Sequence, residues 1–313
     1  MSSLTGPRPT VAVSEAVQTP ARRRDWQKLA IIVAFLLPPG LIYFLLVLLP
    51  VIQAVHFSFY RWNGLGPMED FTGLDNYARI LRDTVFRRAL GNNLLIVGLS
   101  VVVQLPLALG LALLIRRNLP GRAIFRVIFF LPYVLSEVIT GVLWSFVYNP
   151  QYGLLNKVLG VFPGFVPQGW LGDPKMVIYA LFVVISWKYF GLHLILYMAG
   201  LQNVPAELEE SAIIDGANGG QVIRHVTIPL LAPTIRLSLF LSVLGSLQIF
   251  DLVWVMTTGG PVNSSETMAT YLYRYGFQRF SIGYGSAVAV VLFAICFAFS
   301  FVYQRYVMRR DYQ

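Results

Sequence analysis

The chain has 313 residues, of which 56% are hydrophobic and only 12% are charged. A soluble domain normally carries about 25% charged residues, so the composition excludes a mostly water-facing surface and indicates a lipid environment. The formal net charge of +9 does not indicate a nucleic-acid partner, because the basic residues lie in short segments between apolar runs, where positive charge sets membrane orientation.

The sequence lacks the residues needed for a metal site or a nucleotide site. The only cysteine is Cys296, which excludes an intrachain disulfide and a cysteine-based metal site. The three histidines, His56, His193 and His225, are far apart and match no ligand spacing. No Gly-x-x-x-x-Gly-Lys-Ser/Thr loop occurs, so we expect no metal, no cofactor and no ATP site in this chain.

The predicted elements begin with a polar segment, residues 1–28, that we expect to be a disordered cytoplasmic tail. An apolar run over 29–55 follows it. This run is longer than the core of about 7–15 residues in a cleavable signal peptide, so it predicts a membrane anchor.

Five more apolar runs follow, each near the length of about 20 residues that a bilayer core requires. Backbone in lipid must satisfy its own hydrogen bonds, which favours helix for runs of this length. We predict an all-α polytopic membrane protein with six transmembrane helices over 29–305, in which Pro132 kinks the third span rather than ending it. The spans are placed at 29–55, 92–115, 123–148, 176–199, 234–256 and 283–305.

The distribution of Lys and Arg predicts that both termini, including residues 306–313, lie in the cytoplasm. Basic residues are more numerous in the tail and in the 116–126 turn than in most segments that would lie outside. The first outer loop weakens this bias, because it carries five arginines. They are Arg61, Arg79, Arg82, Arg87 and Arg88.

The cytoplasmic segment 200–233, between spans four and five, does not resemble an ordinary short loop. Pro205 lies where a helix can begin, and carboxylates follow in the first turns, where they favour a helix N-terminus. Gly216, Gly219 and Gly220 should then end that helix, and a second short helix could extend to Pro229. The residues alone leave two interpretations open: a lever that a soluble partner moves, or a hairpin that lies on the lipid.

The same segment carries a motif of spaced residues that resembles a known family. Glu210-Ser211-Ala212, Asp215-Gly216, nine residues and then Val226-Thr227-Ile228-Pro229 resemble the "EAA" signature of ABC importer permeases. The differences are Ser for the first Ala, Val for Ile and Ile for Leu. The resemblance implies a coupling helix that docks on a cytoplasmic ATPase subunit. The implied coupling residues are Glu210, Ser211, Ala212, Asp215, Gly216, Val226, Ile228 and Pro229.

Further motifs resemble the sugar-permease branch of that family. They are Phe71-Thr72-Gly73-Leu74-Asp75-Asn76-Tyr77, Phe129-Phe130-Leu131-Pro132, Gln248-Ile249-Phe250-Asp251 and Met256-Thr257-Thr258-Gly259-Gly260-Pro261. The chain is similar to the first of the paired permeases of the maltose, lactose and glycerol-phosphate type, without the large outer domain of the maltose member.

The resemblance implies the permease subunit of an ATP-driven, binding-protein-dependent importer for a sugar or oligosaccharide. Such a subunit works by alternating access in the cytoplasmic (inner) membrane of a bacterium or archaeon and is not an enzyme. The implied partners are a second homologous permease, two cytoplasmic ATPase subunits that hold ATP and magnesium, and an extracytoplasmic solute-binding protein. That binding protein would deliver the sugar to the outer loops at 57–90 and 257–281.

Polar residues inside predicted spans are costly and are therefore candidates for the solute path. Glu137 and Lys188 lie at depths that allow an ion pair, although solute contact and snorkelling remain alternatives. Gln248 and Asp251 are three residues apart and would share one helical face, with Trp254 three residues further. Either this face contacts the sugar, or Asp251 holds the outer loop in place.

A stripe of small residues in span five is predicted to be a packing surface, against the second permease. It comprises Ser238, Ser242, Gly245 and Ser246.

Three rival functions have weaker support in the sequence. An importer permease for a non-sugar solute would not explain the sugar-branch motifs. A membrane-embedded enzyme should bring nucleophile, base and orienting groups together, whereas the intramembrane polar residues here are scattered. An ATP-independent carrier should show inverted repeats, and no clear repeat is visible.

Overall fold

The computed structural model describes residues 26–116 and 122–308. Most of the predicted tail and the last residues of the predicted C-terminal segment lie outside the described residues. The chain divides into two units, one ending at Val51 and one beginning at Ile52. The described residues form helices, with one isolated β-bridge between Tyr60 and Phe71.

The first predicted span is confirmed as a helix that continues from Lys28 to Phe57 over 30 residues. It consists of α1 (Trp26–Tyr43), a π-helical turn (Phe44–Leu48) and α2 (Leu49–Phe57). At about 1.5 Å per residue the helix is about 45 Å long, which exceeds a hydrocarbon core of about 30 Å. Its length therefore suffices to cross a bilayer.

The remaining helices follow in chain order, and three further π-helical turns adjoin some of them. They are α3 (Asp75–Arg82), α4 (Thr84–Leu99), α5 (Leu105–Arg116), α6 (Arg122–Val134), α7 (Glu137–Val147), α8 (Leu154–Leu159), α9 (Val177–Gln202), α10 (Ala206–Ile214), α11 (Gly219–Val222), α12 (Ile228–Leu247), α13 (Asp251–Thr257), α14 (Met268–Leu272) and α15 (Ile282–Tyr306). The turns are Ser100–Gln104, Ile223–Thr227 and Tyr273–Gln278.

Besides the first span, four continuous helices within the described ranges are long and apolar enough to cross a membrane. They are Thr84–Ile115, Val177–Gln202, Gly219–Leu247 and Ile282–Tyr306. A bent pair of helices, Val127–Val134 and Glu137–Val147, supplies a sixth crossing if it is counted as one span. The all-α, multi-span prediction is confirmed, and the number six depends on this bent pair.

The third span was predicted as one helix over 123–148, and this prediction is wrong in one respect. The chain breaks at Leu135 and Ser136, and the two halves are bent by 108°. Pro132 lies in the last turn of α6 and has no N–H for the helical ladder. Ser136 then adopts an extended conformation, and helical hydrogen bonding begins again when the Thr140 N–H donates to the Ser136 carbonyl at 2.9 Å.

Span five also differs from its predicted bounds of 234–256. The two glycines after Asn218 do not separate a second short helix from the span, because Asn218 and Gln221 form a capping box that begins a helix at Gly219. That helix continues past Pro229, directly after the π-helical turn Ile223–Thr227. The span thus covers Gly219–Leu247.

Helix α9 lies at the centre of the second unit. More than half of its most apolar 18-residue window is buried, 56%, and it packs against α5, α6, α7 and α12. Gly191 permits the close approach of α6, because a Cβ at this position would clash with the Phe129 carbonyl. Side chains on α9 are therefore positioned by several neighbouring spans.

Candidate functional site

The connection between α9 and α12 contains one exposed helix with a defined end. Helix α10 begins after Pro205, as predicted, and has Glu207 and Glu209 in its first turn. At its end the Gly216 N–H donates to the Ile213 carbonyl at 3.0 Å and the Ala217 N–H to the Ala212 carbonyl at 2.9 Å. This is a Schellman motif, and Gly216 has the positive φ of +90° that the motif requires.

The surface of α10 carries exposed apolar side chains. Ile214 is 85% exposed and Ile213 is 59% exposed. Glu210, Ser211, Asp215 and Gly216 are exposed as well, and Ala212 is half-buried. Contiguous apolar exposure beside polar groups is typical of an interaction surface.

Helix α10 is also tied to the adjoining span. The Thr227 hydroxyl donates to the Glu209 carboxylate at 2.6 Å, and Thr227 itself is buried. Val226 and Ile228, on either side, are half-buried, whereas Pro229 is exposed. A displacement of α10 would therefore be transmitted to the beginning of α12.

A cavity of about 180 Å³ lies within the second unit, between α9, α12 and the Ser100–Gln104 turn. Among the described residues its polar lining is uncharged. The lining residues are Ser100, Gln104, Ile185, Tyr189, Leu192, His193, Leu241, Ser242, Gly245, Ser246 and Ile249.

Several polar groups around this cavity are held in place by neighbouring helices. His193 Nδ1 hydrogen-bonds the Ser238 hydroxyl at 2.8 Å, and the Ser100 and Ser246 hydroxyls lie 3.4 Å apart. The Gln104 side chain is buried, and its Nε2 has no hydrogen-bond partner within the part of the chain that the structure describes. Sequence reasoning missed Gln104, although a glutamine inside an apolar span was a usable signal.

The predicted pair Glu137 and Lys188 lies at the break in the third span, and the structure gives each residue another partner. The Lys188 ammonium donates to the Leu135 carbonyl at 2.5 Å, and the Tyr189 hydroxyl donates to the Glu137 carboxylate. Lys188 is only 3% exposed. Lys188 thus contacts the end of the first half of the broken span, Glu137 begins the second half, and neither residue lines the cavity.

The predicted shared face of Gln248 and Asp251 is not formed. Helix α12 ends at Leu247, and α13 begins at Asp251 after a non-helical interruption that includes Gln248. Gln248 Nε2 lies 3.7 Å from Cys296 Sγ, while Asp251 is exposed. Neither residue lines the cavity.

Trp254, the third residue predicted on that face, belongs to an aromatic cluster. It is stacked with Phe250 at 5.8 Å between ring centroids and meets Tyr273 edge-on at 4.8 Å. The stripe of small residues is a packing surface, as predicted, although its serines pack within this chain: Ser238, Ser242 and Ser246 are buried.

One asparagine of α4, Asn93, hydrogen-bonds the end of α12. The Asn93 amide donates to the Ser246 carbonyl at 2.8 Å and to the Leu247 carbonyl at 3.2 Å, which satisfies two carbonyls that have no helical partner. Its oxygen accepts from the Met268 N–H at 2.9 Å. These bonds, rather than Asp251, join the 258–281 segment to the end of the span.

The 258–281 segment contains a buried ion pair. Glu266 is fully buried, and its carboxylate lies 3.0 Å from the Arg274 guanidinium. Burial raises the pKa of Glu266, while the nearby Arg274 charge acts in the opposite direction. Arg274 also donates to the Thr258 carbonyl and to the Asn263 side chain.

Comparison with known proteins places these features in a family. Residues 104–311 match the family described as "Binding-protein-dependent transport system inner membrane component". The diacetylchitobiose uptake system permease protein NgcF of Streptomyces coelicolor is 33% identical, with coverage of 90% of this chain and 83% of that protein. The trehalose/maltose transport system permease protein MalF of Thermococcus litoralis is 31% identical, with coverage of 86% and 90%.

A solved structure supports the same assignment. A chain of a bacterial ABC transporter involved in the import of the acidic polysaccharide alginate superposes with a TM-score of 0.78 and 26% identity, over 91% of this chain and 98% of that chain. The chain therefore belongs to the family of binding-protein-dependent transport system inner membrane components and is a multi-pass permease subunit of an ABC importer.

Proposed function

We propose that this permease carries a sugar or oligosaccharide and that its transport is driven by ATP hydrolysed in a separate subunit. The observation that carries the proposal is α10, an exposed helix with Ile214 85% exposed that is hydrogen-bonded to a membrane span. Such a helix suits a docking surface for a soluble ATPase that moves the span when it binds ATP. The magnesium and ATP belong to that subunit, and this chain holds no cofactor.

The proposed assembly contains a second homologous permease, two ATPase subunits and a solute-binding protein. Both termini and α10 lie in the cytoplasm, and the 58–82 and 258–281 segments face the binding protein. A related structure contains a periplasmic protein that holds an alginate pentasaccharide, which supports this arrangement. The coupling residues Glu210, Ala212, Asp215 and Gly216 would contact the ATPase.

The proposed solute path includes the uncharged cavity beside α9. A sugar presents hydroxyl groups to hydrogen-bond, and Gln104, His193 and Ser242 can supply amide, imidazole and hydroxyl partners. Asp251 and the Trp254 cluster lie on the helix that follows the end of α12, where acids and aromatic faces suit a sugar. The names of NgcF and MalF, both of which refer to sugars, support this solute class.

The proposal is tested by purifying the tagged protein from native membranes in mild detergent and identifying its partners by mass spectrometry. We expect a second permease and a P-loop ATPase. In the reconstituted complex, the sugar-loaded binding protein should stimulate ATP hydrolysis. Recovery of this chain alone, from a preparation in which a known ABC importer stays assembled, would contradict the proposal.

A further inference from the structure

Two consecutive residues of α9 contact both ends of the broken third span. In a continuous helix the Leu135 carbonyl would accept a hydrogen bond from the Ile139 N–H. Here the Lys188 ammonium donates to that carbonyl at 2.5 Å. The next residue, Tyr189, donates its hydroxyl to the carboxylate of Glu137, the first residue of α7.

The charges of this arrangement complement the dipoles of the two half-helices. The C-terminal end of a helix is partially negative and favours a cation, and the N-terminal end is partially positive and favours an anion. Lys188 lies at the end of α6, and Glu137 lies at the beginning of α7. A buried ammonium is costly unless it is paired or hydrogen-bonded. The hydrogen bond to the Leu135 carbonyl therefore explains the burial of Lys188 without a bound solute.

Tyr189 also connects the break to the cavity. Its side chain lines the cavity, while its hydroxyl contacts Glu137. A solute that displaces the Tyr189 ring would therefore act on the beginning of α7.

Helix α7 packs closely on α13. A Cβ added at Gly141 would lie 2.8 Å from Val255 Cγ1. A change in the angle at the break would therefore move α13 and the 258–281 segment that follows it.

We propose that Lys188 and Tyr189 are positioning residues of transport, which together hold the third span in its bent form and relate the occupancy of the cavity to the angle between α6 and α7. The part that concerns occupancy rests on the proposed function. The part that concerns the bend rests on the contacts at Leu135 and Glu137 alone.

The first test measures the bend directly in the assembled transporter. Spin labels are attached to cysteines at Val127 and Phe146, which are 64% and 60% exposed, after Cys296→Ser removes the native cysteine. We expect a narrow distance distribution in the parent, a broadened one in Lys188→Met and a narrow one in Lys188→Arg, because arginine retains a donor. Lys175→Met, on an exposed lysine just before α9, is the matched control and should stay narrow. An unchanged distribution in Lys188→Met would overturn the proposal.

The second test measures how strongly the sugar-loaded binding protein stimulates ATP hydrolysis. It does not depend on the stability of the lysine variant. Tyr189→Phe keeps the ring in the cavity and removes the hydroxyl that contacts Glu137. Stimulation of ATP hydrolysis by the sugar-loaded binding protein should fall about tenfold, as the loss of one hydrogen bond to a charged group allows. Tyr179→Phe on the same helix should behave as the parent in both basal and stimulated hydrolysis.

The two tests separate this inference from the proposed function. If the parent complex shows no stimulated hydrolysis, the proposed function fails, and the distance distribution of Lys188→Met still decides whether the bend is held by Lys188. If Tyr189→Phe retains full stimulation in a complex whose parent is stimulated, the coupling role of Tyr189 is wrong.

Discussion

In the segment between α9 and α12, Gly216 has a backbone conformation that favours glycine over any other residue. Its φ is +90°, and an added Cβ would find open space. Replacement by an L-residue therefore costs conformational energy, about 1–2 kcal/mol, without any steric clash with a neighbour. The strain favours another end for α10 and changes how Ile213 and Ile214 are presented.

We expect Gly216→Val to reduce solute uptake at least about tenfold, the change that about 1.4 kcal/mol produces, while membrane levels of the protein stay normal. Gly164 offers a matched control, because it also has a positive φ, +82°, and open space around it but lies in another segment. Gly164→Val should retain uptake. Normal uptake in Gly216→Val cells would show that α10 does not transmit the motion.

The Glu266–Arg274 pair leads to a prediction about how the stability of the protein depends on pH. Burial raises the pKa of Glu266, and Arg274 opposes that effect, so Arg274→Met should raise the pKa further. A carboxyl group with a higher pKa in the folded state contributes its full stabilisation at pH values below its unfolded pKa, about 4.3. That stability is lost as the pH rises through the folded pKa.

Thermal inactivation of the detergent-solubilised transporter measures this effect. As the pH rises above the unfolded value of about 4.3, Arg274→Met should lose stability more steeply than the parent, by up to about 3–5 kcal/mol for an uncompensated buried charge. The double variant Glu266→Gln, Arg274→Met removes the titrating group and should show a shallower pH dependence than either the parent or Arg274→Met. An equally steep loss in the double variant would assign the effect to other groups.

At the scale of elements, the spans were predictable and the breaks within them were not. Apolar length identifies a membrane helix because lipid leaves the backbone no other partners, and five predicted spans correspond to continuous helices. The end of α12 depends on Asn93, which is distant in the sequence from the two carbonyls that it satisfies. The break after Val134 similarly involves Lys188, on a helix that comes more than 50 residues later.

The candidate site was likewise predictable from the sequence only in part. Local geometry, such as the helix after Pro205 and its end at Gly216, follows from residues that are neighbours in the sequence. The cavity does not follow from residues that are neighbours in the sequence. Gln104, His193 and Ser246 come from three different spans, and each is unremarkable alone. A helical-face argument placed Gln248 beside Asp251, and it failed because α12 ends before Gln248 and the next helix begins only at Asp251.

For the whole molecule, the proposed orientation places α10 and the α8–α9 connection on opposite sides of the membrane. Ile214 at the end of α10 is 85% exposed, and Val161 after α8 is 80% exposed. Between them the chain passes once through the membrane in α9. An aqueous reagent that cannot cross lipid should therefore reach only one of them from each side.

Single cysteines at these two positions, in a Cys296→Ser background, test the orientation and the docking surface together. In right-side-out vesicles a membrane-impermeant maleimide should label Val161→Cys and not Ile214→Cys, and inside-out vesicles should show the reverse. In inside-out vesicles the co-assembled ATPase should protect Ile214→Cys from labelling at least about tenfold, because an apolar side chain buried at an interface contributes about 1.5–3 kcal/mol. Stripping the ATPase should restore the labelling. Labelling of Ile214→Cys from the outside would reverse the topology, and equal labelling with and without the ATPase would remove α10 from the interface.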